Sequence, residues 1–138
     1  MGRKIHFKSN QIIYEIGDTA DGAYIILNGH VDLLSKSGVR LTTLGEGEIF
    51  GEIGQIIGKN RSVTARARSK GTATFIPKEL ILEKFDKADA AVKGIFRAVA
   101  IRLQHSNRDI EVLNEKYEKL RIEHARLNAD LARYKRSL

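Results

Sequence analysis

The chain has no cysteine, one proline and four histidines among its 138 residues. Without cysteine there is no disulfide and no thiolate nucleophile, a composition that suits a reducing compartment. The N-terminal MGRKIHFKSN has no apolar h-region, and no stretch approaches the ~18 consecutive apolar residues of a membrane span. The expectation is a soluble, cytoplasmic protein without a membrane partner. Only His6 and His30 lie in the first half, far apart in sequence, so a clustered metal site is not expected. No nucleophile stands beside an evident base, and the chain is not expected to be an enzyme. Acidic residues are the minority charge: 17 Asp and Glu against 24 Lys and Arg leave a net charge of +7. That excess fits nucleic acid or, equally, a small phosphorylated ligand. With 42% hydrophobic and 30% charged residues, the composition is globular.

Glycine all but disappears after Pro77, where only Gly94 remains, and the chain changes character there. Before that point, turn residues punctuate short β-branched runs. Residues 11–14, 23–27, 30–34, 39–44, 62–67 and 72–76 read as strands. Asn28-Gly29 lies between two of them and predicts a type I′ hairpin, which needs φ > 0 at both central positions. Short strands so closely spaced suggest a small antiparallel β-roll or jelly-roll barrel, a mainly β fold with added helix. Pro77 can open a short helix over 78–85, and Asp89 is placed to cap a long second one. The expected division is a β-roll with its short helix over residues 1–88 and the long helix over 89–138.

The long helix carries a heptad seam. Val99, Leu103, Ser106, Ile110, Leu113, Tyr117, Leu120, His124, Leu127, Leu131, Tyr134 and Leu138 are spaced alternately by four and three. At about 1.5 Å per residue the helix is roughly 75 Å long, more than a small barrel can cover. Its distal part calls for a partner, expected to be its own copy in a parallel homodimer through residues 99–138; the alternative is a solvated amphipathic helix. The flanking charges permit a dimer without specifying one. Asp130 would face Lys135 favourably, and Lys116 would face Arg121 unfavourably.

The stretch FGEIGQIIGKNRSVT, residues 50–64, is the candidate site. Gly51 and Gly54 let the backbone approach a ligand closely. A short helix from Glu52 would turn its amides toward the same spot. Arg61 offers a planar guanidinium suited to two phosphate oxygens. Glu52 repels phosphate but is a good acceptor for sugar hydroxyls. These parts read as a sugar-phosphate receptor, or else as a glycine-rich turn with an incidental Glu52–Arg61 ion pair. A Walker A loop is excluded because Gly58-Lys59 has Ile53 and Asn60 where Gly and Ser or Thr are needed. Gly45-x-Gly47-x-x-Phe50 lacks the third glycine of a dinucleotide fingerprint.

The same stretch resembles the phosphate-binding cassette of the cyclic nucleotide-binding domain family, whose members include catabolite activator protein and the regulatory subunits of protein kinase A. Phe50 to Gly54 match its F-G-E opening, and Arg61, Ser62 and Thr64 fall at the matching separation. EIGDTADGAYIILNGHV and LTTLGEGEIFGE resemble the family's preceding segments, so the likeness covers roughly residues 5–110. It implies a cAMP or cGMP ligand and no other cofactor. Arg61 would pair with the phosphate and Glu52 would accept from the ribose 2′-OH. Backbone N–H groups of Gly51 and Glu52, with Ser62, would complete the cradle, and Ile53, Gly54 and Val63 would line it. Asn60 departs from the usual proline and Gln55 from the usual aliphatic residue. AIRLQHSNRD, residues 100–109, resembles the adenine-contacting part of catabolite activator's dimerising helix, which places Ser106 and Asn107 at the base and favours cAMP. No helix-turn-helix follows, so nucleic acid is not an expected partner. The expected function is a cyclic-nucleotide sensor with an unknown downstream partner. The alternative is a ligand-free structural adaptor.

Overall fold

The computed structural model describes residues 2–138. Eight strands precede a 48-residue helix. They form two four-stranded antiparallel sheets. One holds β1 (Arg3–Phe7), β8 (Gly71–Pro77), β3 (Gly22–Asn28) and β6 (Ile49–Phe50), in that order. The other runs β2 (Ile12–Tyr14), β7 (Thr64–Ala67), β4 (Val31–Leu34), β5 (Arg40–Leu44). Alternation along the strands turns Phe7, Tyr14, Tyr24, Ile26, Val31, Phe50, Ala65, Ala67, Ala73 and Phe75 into one core. The antiparallel β-roll followed by a long C-terminal helix is the architecture expected from the sequence, with strand ends moved by one or two residues.

Two strands escaped sequence reading. In β1, three basic residues share five positions, yet Ile5 and Phe7 alternate with them and face inward, while Arg3 pairs opposite Phe75 at the sheet edge. β6 is only two residues long, too short for any periodicity. The hairpin expected at Asn28-Gly29 is corrected. β3 and β4 do not pair with each other but belong to different sheets, so this turn is a corner. Gly29 has φ 86° whereas Asn28 remains in β3, which rules out a type I′ turn. The glycine is required on a second ground: a Cβ there would stand 2.7 Å from Lys70 O and 2.9 Å from Gly71 Cα.

Helix α1 (Glu52–Ile57) follows β6, and α2 (Lys78–Asp86) follows β8. Pro77 serves as the N-cap of α2 rather than as its first turn. Asp89 caps α3 (Ala90–Ser137), its carboxylate accepting from Ala91 N at 2.8 Å. Ala100 of α3 is buried and Gln104, Asn107, Glu111 and Asn114 are half-buried. This stripe lies one residue C-terminal to Val99, Leu103, Ser106, Ile110 and Leu113, or about 100° around the helix. The apolar seam is therefore exposed beside the stripe that meets the barrel. That stripe is pinned to the β4–β5 turn, where Asn114 Nδ2 donates to Ser37 Oγ at 2.9 Å and Ser37 N donates to Glu111 Oε2 at 3.4 Å.

Candidate functional site

The candidate site is assembled where β6 turns into α1. Phe50 is 1% exposed and stacks on Tyr24 with ring centroids 4.8 Å apart, which fixes the end of the strand and contributes about 2–3 kcal/mol by burial. The next residue reverses the chain. Gly51 is the N-cap of α1 with φ 82°, and a Cβ there would lie 2.7 Å from Arg61 Nη1. Glycine at 51 thus satisfies both a left-handed backbone and a close approach by the guanidinium.

Arg61 returns on the loop that leads from α1 to β7. Its backbone is tied to the turn after β2, with Arg61 N donating to Asp18 O and Gly17 N donating to Arg61 O, both at 2.9 Å. The residue is only 4% exposed. Nη1 donates to Gly51 O at 2.9 Å, while Nη2 donates to Gly22 O at 2.8 Å and to Asp21 Oδ1 at 2.9 Å. The guanidinium carbon lies 4.1 Å from the Tyr14 ring centroid. The carboxylate facing Arg61 is therefore that of Asp21, and the incidental pair with Glu52 does not form. Nε is buried without a hydrogen-bond partner.

Gln55, which departs from the aliphatic pattern, is buried and donates through Nε2 to Gly22 O at 3.3 Å. It thus shares the carbonyl that Arg61 holds. Glu52 is half-buried. Burial raises its carboxyl above the usual range, against the opposing pull of its own backbone hydrogen bond and the Arg61 charge. Burial also raises the Tyr14 phenol, so the ring beneath Arg61 stays neutral at any physiological pH.

Tyr14, Gly51, Glu52 and Arg61 border a cavity of about 310 Å³, at the small end of the ~300–1,000 Å³ usual for small-molecule sites. Gly51, Glu52, Ile53, Gly54, Arg61, Ser62 and Val63 form one side. Ser106 and Asn107 come to it from α3, so all nine sequence-predicted residues border one space. Leu33, Leu41 and Leu44 supply an apolar wall that sequence reading missed, and Leu103 and Ile110 of the seam extend it. Asp21, Gly22 and Tyr14 were also missed as the layer that holds Arg61. Their signal was weak, since Asp21-Gly22 reads locally as nothing more than a turn. The arrangement offers a cation, a carboxylate acceptor, hydroxyl and amide side chains, and an apolar surface large enough for a flat ring.

Comparison with known proteins bears on the chemistry. The cyclic nucleotide-binding domain family matches over residues 4–88. An uncharacterized NTE family protein of Mycobacterium tuberculosis is 27% identical over 101 residues, 73% of this chain and 17% of the relative. An uncharacterized ABC transporter ATP-binding protein of the same organism is 34% identical over 73 residues, 50% of this chain and 22% of its own. The chain thus spans about a fifth of the curated relatives it matches. Among solved structures, the cAMP-bound form of the EAL enzyme Bd1971 superposes with a TM-score of 0.73 at 35% identity, covering 88% of this chain and 33% of that one. Its cGMP-bound form gives a TM-score of 0.69 at 38% identity, over 74% and 28% of the two chains.

Proposed function

The chain belongs to the cyclic nucleotide-binding domain family, and from that premise we propose that it is a regulatory sensor that binds cAMP in preference to cGMP and dimerises through residues 99–138 of its long helix. The observation that carries the ligand class is the single cavity bordered by Glu52, Arg61, Ser62, Ser106 and Asn107, with a buried Arg61 Nε left unpaired. Glu52 accepts from a ribose hydroxyl, the Gly51 and Glu52 amides with Ser62 receive the phosphate, and the base lies between the leucine wall and α3. The EAL enzyme above has forms with either nucleotide, and Ser106 with Asn107 favours adenine here. Because the ligand touches both the barrel and α3, its binding shifts the population between placements of the helix. The role is regulatory rather than catalytic.

Dimerisation draws on the exposed seam, in which Leu113, Tyr117, Leu120 and Leu127 are each more than half exposed; such a stripe needs a partner. No helix among the described residues is long and apolar enough to cross a membrane, and a cytoplasmic location is part of the same proposal. The adaptor reading draws on one observation, that Asp21 and two carbonyls already occupy most of Arg61. Calorimetry with cAMP and cGMP separates the two readings. The sensor binds cAMP more tightly than cGMP, and Glu52→Ala weakens both. Absence of heat from either nucleotide at millimolar concentration refutes the sensor and leaves the adaptor.

A further inference from the structure

Beside the 310 Å³ cavity lies a larger one of about 610 Å³, with Arg61, Ser62 and Asn107 in the wall between them. Its charged lining is unbalanced. Lys36 comes from the β4–β5 turn, Lys59 from the loop after α1 and Arg108 from α3, against a single carboxylate, Glu111. None of these three cations lies within 4 Å of a carboxylate oxygen among the described residues. Glu111 lines the same cavity, accepts from the backbone N–H of Ser37 and offsets part of that charge, with Lys36 among the groups acting on its carboxyl. The three cations outnumber the one carboxylate on this concave surface, and an anion there offsets their excess charge.

We propose that this cavity is a second anion site, which takes a phosphate-bearing group through Lys36, Lys59 and Arg108. The site is separate from the cyclic-nucleotide cradle, although the dinucleotide source considered below rests on the reading proposed above. An anion there joins the barrel to α3, since two of its cations stand on the barrel and the third on the helix. It also shares a wall with the neighbouring cavity, so the two occupants are thermodynamically linked. The phosphate has two possible sources with the same chemistry. It is either a free diphosphate, bound alongside a cyclic mononucleotide, or the second phosphate of a cyclic dinucleotide that spans both cavities.

The test is calorimetric titration of the full chain with inorganic pyrophosphate at low ionic strength, where such contacts are least screened. The wild type binds pyrophosphate, and the triple variant K36A/K59A/R108A loses at least about tenfold in affinity, as expected when charge-assisted contacts are removed. A control variant, K116A/K119A/R126A, removes the same charge from the distal helix and leaves pyrophosphate binding unchanged. Pyrophosphate that still binds when cAMP is saturating identifies the free source. A cyclic dinucleotide that displaces cAMP, and does so less well from the triple variant, identifies the bridging source. The proposal is overturned if the triple variant binds pyrophosphate and dinucleotide as the wild type does, if the wild type binds neither, or if the control variant loses as much affinity as the triple variant. Failure of cAMP to bind would refute the sensor reading and leave the pyrophosphate comparison intact.

Discussion

Replacing Arg61 by alanine should destabilise the fold more than its place in a ligand loop suggests. The side chain is almost fully buried and makes three hydrogen bonds, one to a carboxylate. Their loss is unequal in cost. Asp21, whose side chain is 67% exposed, returns to water, and Gly22 O keeps Gln55. Gly51 O loses its Arg61 donor. That carbonyl keeps the first intrahelical bond of α1, so the lost hydrogen bonds, the lost contact with Tyr14 and a partly collapsed cavity together give about 3–5 kcal/mol. At about 3–5 °C per kcal/mol for a chain of this size, Tm falls by roughly 10–20 °C. Asp21→Asn, by contrast, costs about 1 kcal/mol or less, because its half of the pair is solvated. Urea denaturation of both variants and the wild type, at one fixed protomer concentration, measures these differences. An Arg61→Ala variant within about 1 kcal/mol of the wild type, at unchanged m-value, refutes the claim that the guanidinium clamps the cassette to β3. The same result bears on ligand studies, since loss of nucleotide binding in Arg61→Ala is interpretable only where that variant is folded.

Three further outcomes follow from the site and the helix. Glu52 has a raised folded-state pKa, so its contribution to stability is present at low pH and is lost as pH rises through that value. Glu52→Gln should therefore be more stable than wild type at neutral pH and flatten this part of the pH–stability curve, while binding cyclic nucleotide more weakly; thermal melts over a pH series from acid to neutral read the first two. Gly51→Ala combines a left-handed φ with a Cβ 2.7 Å from Arg61 Nη1, so it should cost about 1–3 kcal/mol in a urea titration and reduce nucleotide affinity in calorimetry. Leu120→Asp places a charge in the seam where the side chain is 64% exposed in one chain. It should abolish dimers in sedimentation analysis while leaving the barrel's thermal transition in place, and an unchanged dimer would move the interface elsewhere.

Legibility from sequence followed the range of the interactions involved. Strand alternation, the cap at Asp89 and the seam are written in neighbours a few residues apart, and the sequence reading located them. The cassette was legible for the same reason, as its chemistry is carried by fifteen consecutive residues, 50–64. β1 was missed because its basic residues obscured the alternation of Ile5 and Phe7. The hairpin at Asn28-Gly29 was misread because the local signal specifies a turn and not which strands it joins.

The composition and order of residues by themselves determined an antiparallel β-roll, a long helix with an unsatisfied apolar stripe, and the family. Only the tertiary structure decided where the cation of the cassette is held. Asp21 and Gly22 precede Arg61 by 40 and 39 residues, and nothing local marks them as its partners. They meet because β3 and β6 are neighbours in one sheet, which brings the turn before β3 against the cassette that β6 starts. The rotational setting of α3 was equally a matter of packing. A helix with a polar stripe beside an apolar one can dock by either, and here the polar stripe meets the turn at Ser37 while Leu103, Ser106 and Ile110 border the cavity and Leu113, Tyr117, Leu120 and Leu127 stay exposed.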